Sequence, residues 1–375
     1  MHRLKLIKIT CTINKRLSQI VTDTLNEIGI KNIHRKAGRS IILRENAGLK
    51  KIYHETSFEE APVDIFDFYS TADQEQAVIS AINENTRIFI PGRGSVISQK
   101  IDVITNEPFE AFQLSGKPVS DCRSEIRKNI VGICCIVQRN QSNAIVQAIL
   151  DLGITVPIVT YGEGTGLRDK LGLLRITIPA EKDIVRLAVD AHDAENILRL
   201  LISIGQLDKP GKGFIFTHLL RLGLIDTKTF SGNTRHAASI EQIIAALDTI
   251  KGNTEWRRYD SSQNDISCQK IKYLDSLAGL TLICNEGFAK DLVNASMKVG
   301  AAGATISKLS YLNMDKTTAN NKISAAREMS DLIIPPSLID KISEAMIEAG
   351  LFGDAQGIIE ITQVPKACTY LGANR

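Results

Sequence analysis

The chain has 375 residues, 43% hydrophobic and 23% charged, a composition that excludes a disordered or low-complexity protein and fits a globular one. Its 45 basic and 42 acidic residues are mixed along the chain to a net charge of +3, so no nucleic-acid partner is implied. No apolar run reaches the ~18 residues of a membrane span, and charges interrupt the opening MHRLKLIKITCTINKRLSQ too early for a secretory signal; a cytoplasmic protein with no transmembrane segment is expected.

In chain order, LIKITCTIN (6–14) reads as a buried strand and KRLSQIVTDTLNEIGI (15–30) as an amphipathic helix closed by Gly29. A second strand, a long loop over 44–62 and a third strand, VDIFDFYS (63–70), follow. A second helix is predicted from near Ala72, and a glycine turn then opens the last strand, PGRGSVISQKIDVI (91–104). The same order returns in IVGICCIVQR, NQSNAIVQAILDLGI, DIVRLAVD, a helix from near Ala191, and PGKGFIFTHLLRLGLI. It returns again in LAGLTLICNE, GFAKDLVNASMKVGA, EMSDLIIP, a helix from near Ser337, and GDAQGIIEITQV. Gly94, Gly213 and Gly357 fall 65, 60 and 57 residues after Gly29, Gly153 and Gly300. This spacing predicts an α+β fold of three tandem ferredoxin-like (βαββαβ) units over 1–110, 128–226 and 270–375. Their open sheet faces would pack together as an intrachain pseudo-trimer, with 227–269 a linker carrying a helix at SIEQIIAALDTI.

The middle segment resembles the PII-type (nitrogen regulatory) signalling family in its short T-loop variant. The resemblance rests on VQRNQSNAIVQAILDLGIT, on VTYGEGTG at the base of the T-loop, on AEKDIVRLAV, and on LDKPGKGFIF as the phosphate-binding B-loop. The last segment resembles it more loosely through GDAQGIIEI and VPKACTYLG, and the first keeps little beyond PGRGS. What the resemblance implies is a regulator that binds an adenine nucleotide (ATP, ADP or AMP) between neighbouring units and controls a target enzyme, transporter or transcription regulator, in nitrogen metabolism. It assigns Gly211, Lys212 and Gly213 to phosphate, Gly162, Gly164, Thr165 and Gly166 to the facing wall, and Gly92, Arg93 and Gly94 to the corresponding loop of the first unit. The chain departs from the family in its Lys-Gly-Phe at 212–214 and in lacking an arginine pair after the last strand, for which Arg221 is the nearest candidate. Those departures favour a mono- or diphosphate, and the short T-loop argues against metal-bridged 2-oxoglutarate.

Chemistry supports the loop independently, because consecutive glycines let backbone N–H groups converge on an anion while a lysine adds a point charge. The plain alternative is that Pro-Gly-Lys-Gly is a tight turn and GEGTG a flexible loop base. Asp354 beside Gln356 should make the third loop repel phosphate, so unequal clefts are expected. Seven cysteines form no CxxC pair, and Cys11, Cys134, Cys135 and Cys284 read as reduced core residues, with no metal site. No catalytic motif is present; His192 and His218 read as surface or helix-start residues and Asp190 and Asp193 as helix caps. A non-enzyme is expected, either a nucleotide-responsive regulator with 44–62 as its contact loop or a ligand-free scaffold of the same shape.

Overall fold

The computed structural model describes residues 2–45, 56–106, 126–166, 180–231, 240–252, 271–314 and 323–371. The first stretch of elements is β1 (His2–Asn14), α1 (Ser18–Glu27), β2 (Asn32–Glu45), β3 (Thr56–Ser70), α2 (Glu75–Thr86) and β4 (Gly94–Thr105). The next holds β5 (Arg127–Lys128), β6 (Ile130–Gln138), α3 (Asn143–Leu152), β7 (Ile158–Gly166), β8 (Glu181–Asp190), α4 (Ala194–Gly205) and β9 (Phe214–Leu219). Two short strands, β10 (Leu222–Leu224) and β11 (Phe230–Ser231), and α5 (Ile240–Lys251) come before the last stretch. That stretch holds β12 (Leu274–Asn285), α6 (Ala289–Lys298), β13 (Gly303–Asn313), β14 (Ala326–Ile334), α7 (Ile339–Glu348) and β15 (Ile358–Thr369).

The expected α+β arrangement of three tandem ferredoxin-like units packed as a pseudo-trimer is overturned. All fifteen strands among the described residues join one sheet, and ten strands close an antiparallel β-barrel. The reason lies at the strand edges, where unpaired N–H and C=O groups seek a ladder. β2 pairs with β7 at Arg39↔Val159, β13 with β7 at Gly303↔Gly166, and β13 with β2 at Ser310↔Arg35. β15 likewise bridges β9 at Cys368↔Ile215 and β4 at Glu360↔Val103. Hydrogen-bonded edges, rather than stacked sheet faces, join the three stretches.

β1 buries both faces. Along β1, Ile7, Ile9, Cys11 and Ile13 pack with α1 and α2, while the alternate Lys8, Thr10 and Thr12 line an interior cavity, as the two-residue period of a strand requires. The same division sets Val185, Leu187 and Val189 of β8 beneath α3 and α4, and Leu280, Leu282 and Cys284 of β12 beneath α6 and α7. Each fully buried aliphatic side chain contributes about 1.5–3 kcal/mol. The second helices begin at Glu75, Ala194 and Ile339, after turns that occupy the predicted starts at Ala72 and Ala191 and a short 3-10 turn across Ser337. Of the expected helix SIEQIIAALDTI, residues 240–250 lie in α5, and Ser239 lies outside the described residues. The loop expected over 44–62 is shorter, because β2 and β3 pair out to Glu45↔Thr56; residues 46–55 lie outside the described residues.

Candidate functional site

Two glycine loops share one backbone geometry. α2 ends on Arg87 and α4 on Gln206, both left-handed, and each leads through a turn into a Gly-X-Gly sequence. Gly92 and Gly211 have φ of +90° and +73°, and Gly94 and Gly213 have +145° and +141°. The second glycine is dictated by close approach: a Cβ would stand 2.0 Å from the Thr12 carbonyl oxygen at Gly94 and 2.4 Å from that of Ile136 at Gly213. Part of the glycine pattern therefore comes from how the last strand enters beside the first.

The two loops differ in what fills them. At the first, the Gly92 N–H donates to Asp226 Oδ1 at 2.8 Å, and the Lys228 N–H donates to the same oxygen at 3.0 Å. The Arg93 guanidinium turns back to the Thr86 carbonyl at 2.7 Å, capping the end of α2. At the second loop, Gln138 Nε2 donates to the Gly211 carbonyl and Thr369 Oγ1 to that of Gly213, each at 3.0 Å. Lys212 is half-buried and has no ion pair among the described residues. The third loop uses its amides internally, with Gln356 N–H to Gly353 O at 3.1 Å and Gly357 N–H to Leu351 O at 2.7 Å, and buried Arg327 donates to the Gln356 carbonyl at 2.8 Å.

Gly162, Gly164, Thr165 and Gly166 are strand residues. Gly164 lies opposite Thr305 and Gly166 opposite Gly303 in the β7–β13 ladder, and a Cβ at Gly162 would meet Thr305 Cγ2 at 2.8 Å. They stand at the same end of the sheet as Gly213, but within β9-β6-β8-β7 they are three strands away, roughly 14 Å at the usual spacing. Arg221 pairs with buried Glu75 at 3.0 Å instead of facing a loop. Asp190 Oδ1 accepts from the His192 N–H at 3.0 Å ahead of α4, whereas Asp193 makes no side-chain cap bond. Cys11, Cys134, Cys135 and Cys284 are free and buried. Among the described residues no helix is long and apolar enough to cross a membrane.

Sequence reasoning missed the barrel interior. A cavity of about 350 Å³ runs from the Gly92–Gly94 loop to a cluster of charges at the centre. There three cations, Lys8, Lys36 and Arg186, meet three carboxylates, Asp67, Asp331 and Glu360. Lys8 Nζ lies 2.8 Å from Glu360 and 3.9 Å from Asp67, Lys36 lies 3.2 Å from Asp67, and Arg186 lies 3.3 Å from Asp331. Hydroxyls complete the set: Thr10 donates to Asp67 at 2.6 Å, Thr281 to Asp331 at 2.7 Å and Tyr69 to Glu360 at 2.5 Å. Burial alone would lower Lys8, but Asp67 and Glu360 outweigh it and hold the ammonium well above its usual range. Burial would raise Asp67, and Lys36 and Lys8 outweigh that in turn, holding the carboxyl well below its usual range. His218 reaches into this interior from β9, contrary to a surface position; burial, Arg186 and Lys8 pull its pKa down to about 4. The trace left in the sequence is a charged residue flanked by apolar ones, as in Lys8 between Ile7 and Ile9 and Asp67 between Phe66 and Phe68, a pattern that a solvent-facing strand shares.

No protein-family model and no curated protein sequence matches the chain. Among solved structures it is similar to GlnK of B. subtilis at 11% identity, over 28% of this chain and 90% of that one, with a TM-score of 0.23, a likeness too low to carry an argument about fold or function.

Proposed function

We propose that this chain is a non-catalytic regulatory protein that takes the phosphate of an adenine nucleotide at the Gly211–Lys212–Gly213 loop and transmits that state to a partner protein. The observation that carries the reading is the matched pair of loops. The Gly92 loop holds a carboxylate oxygen on its amide, so this backbone geometry accepts an anion, and the Gly211 loop repeats the geometry with a lysine in place of an internal carboxylate. A single lysine, with Arg221 committed to Glu75, favours a mono- or diphosphate over a triphosphate.

The test is calorimetry and thermal shift with ATP, ADP, AMP and cyclic dinucleotides. Lys212→Ala is expected to lose one charge-assisted contact, about 1.5–3 kcal/mol, or roughly ten- to hundredfold in affinity. Stabilisation by none of these nucleotides, or full affinity in the variant, would sink the reading. A second reading is a scaffold that needs no ligand, and it is favoured by one observation, the filling of the Gly92 loop by the chain itself. A scaffold would keep its partner binding unchanged by nucleotide and by Lys212→Ala.

A further inference from the structure

We propose that the Gly92–Arg93–Gly94 loop is a second anion site, for a phosphate or diphosphate group, that the chain holds shut with its own Asp226 carboxylate. The contact has the form of a bound ligand. Asp226 Oδ1 accepts from Gly92 at 2.8 Å and from Lys228 at 3.0 Å. The Lys228 side chain crosses the loop, its Nζ 3.3 Å from where a Gly92 Cβ would stand, so a cation is already in place beside the anion position.

The segment bearing Asp226 is pinned on both sides. β10 pairs with β4 at Leu224↔Val96, β11 pairs with β2 at Phe230↔Leu43, and the Val156 N–H donates to the Asp226 carbonyl at 3.0 Å. Opening therefore needs only a rotation of the Asp226 side chain, with the backbone left in place. Room for an incoming ligand is adjacent, because Gly92, Arg93, Gly94, Asp226 and Lys228 all line one end of the 350 Å³ cavity. The closed state is also held against a cost: burial pushes the Asp226 carboxyl up from its usual range, and its bonds to Gly92 and Lys228 only partly restore it. An external phosphate brings more charge and more acceptor oxygens to the same amides.

This inference stands apart from ligand binding at Gly211, and the experiment separates the two by working in the Lys212→Ala background. Inorganic pyrophosphate and ADP are titrated calorimetrically, and the Gly92 amide is followed by nitrogen-15 NMR. Adding Asp226→Ala should raise affinity at least tenfold, to one equivalent per chain, and shift the Gly92 signal. Adding Asp226→Asn, whose side-chain oxygen can still accept from Gly92, should leave the site shut. Asp226→Ser serves as a second opening variant should the alanine protein fold poorly. Unmoved Gly92 signals in both opening variants, or equal affinity in the Asn and Ala proteins, would overturn the proposal, whatever happens at Lys212.

Discussion

Replacing Glu360 by glutamine is expected to destabilise the protein by about 3–5 kcal/mol, the range for removing one partner of a buried ion pair. Glu360 is 2% exposed in its side chain and faces Lys8 at 2.8 Å and the Tyr69 hydroxyl at 2.5 Å. The glutamine keeps the volume and one acceptor, so cavity formation does not enter; what is lost is the charge opposite a buried ammonium. Asp67 also attracts Lys8, but from 3.9 Å and while engaged by Lys36 and Thr10, so it offsets only part of the loss. Urea unfolding with a lowered midpoint and unchanged slope is the expected record. Lys308→Ala, which removes an exposed pair with Glu286, is the matched control and should leave the midpoint in place. Equal midpoints for Glu360→Gln and the parent chain would mean that the central cluster is hydrated and contributes nothing.

The same cluster shows how far the sequence could be read. Strand and helix segments follow from short apolar runs and from helical spacing: LIKITCTIN lies within β1, NAIVQAILDL is α3, and IEQIIAALDTI lies within α5. Helix starts were misplaced because Ala72 and Ala191 have the composition of a first turn, and only the backbone shows that Thr71 and Asp190 accept turn bonds there. The barrel was not legible for a deeper reason. An alternating polar residue reads alike whether its face meets water or a closed interior, so Lys8, Asp67, Arg186 and Glu360 carried no sign of the lumen. Edge pairing is equally silent, since Gly166↔Gly303 depends on two residues 137 positions apart. Gly211, Lys212 and Gly213 were legible as a loop, while the occupant of the Gly92 loop, Asp226, lies in a segment with no motif.

Acid should begin to destabilise the chain before its surface carboxylates titrate, through two histidines held neutral. His218 has its pKa pulled down to about 4 by burial, Arg186 and Lys8, against Asp331. His34, packed 5.5 Å from the Tyr311 ring, is pulled down to about 3 by burial, Arg327, Lys8 and Lys36, against Asp67. Above about pH 6.5 the imidazoles are neutral in both native and unfolded chains and pH has no leverage through them. As pH falls below 6.5 the unfolded chain takes up protons that the native barrel refuses, so stability declines down to about 4 for His218 and about 3 for His34. The full loss through His218 alone is on the order of 3 kcal/mol. Asp67, held low by its lysines, adds to the decline at the acid end, whereas Asp226, raised by burial, works in the opposite direction. Urea midpoints measured between about pH 7.5 and 4.5 should fall steadily, and the fall should flatten in His34→Gln and His218→Gln proteins. A midpoint constant over that window would show that the imidazoles are charged or hydrated in the native state, and that the barrel interior is open to water at their positions.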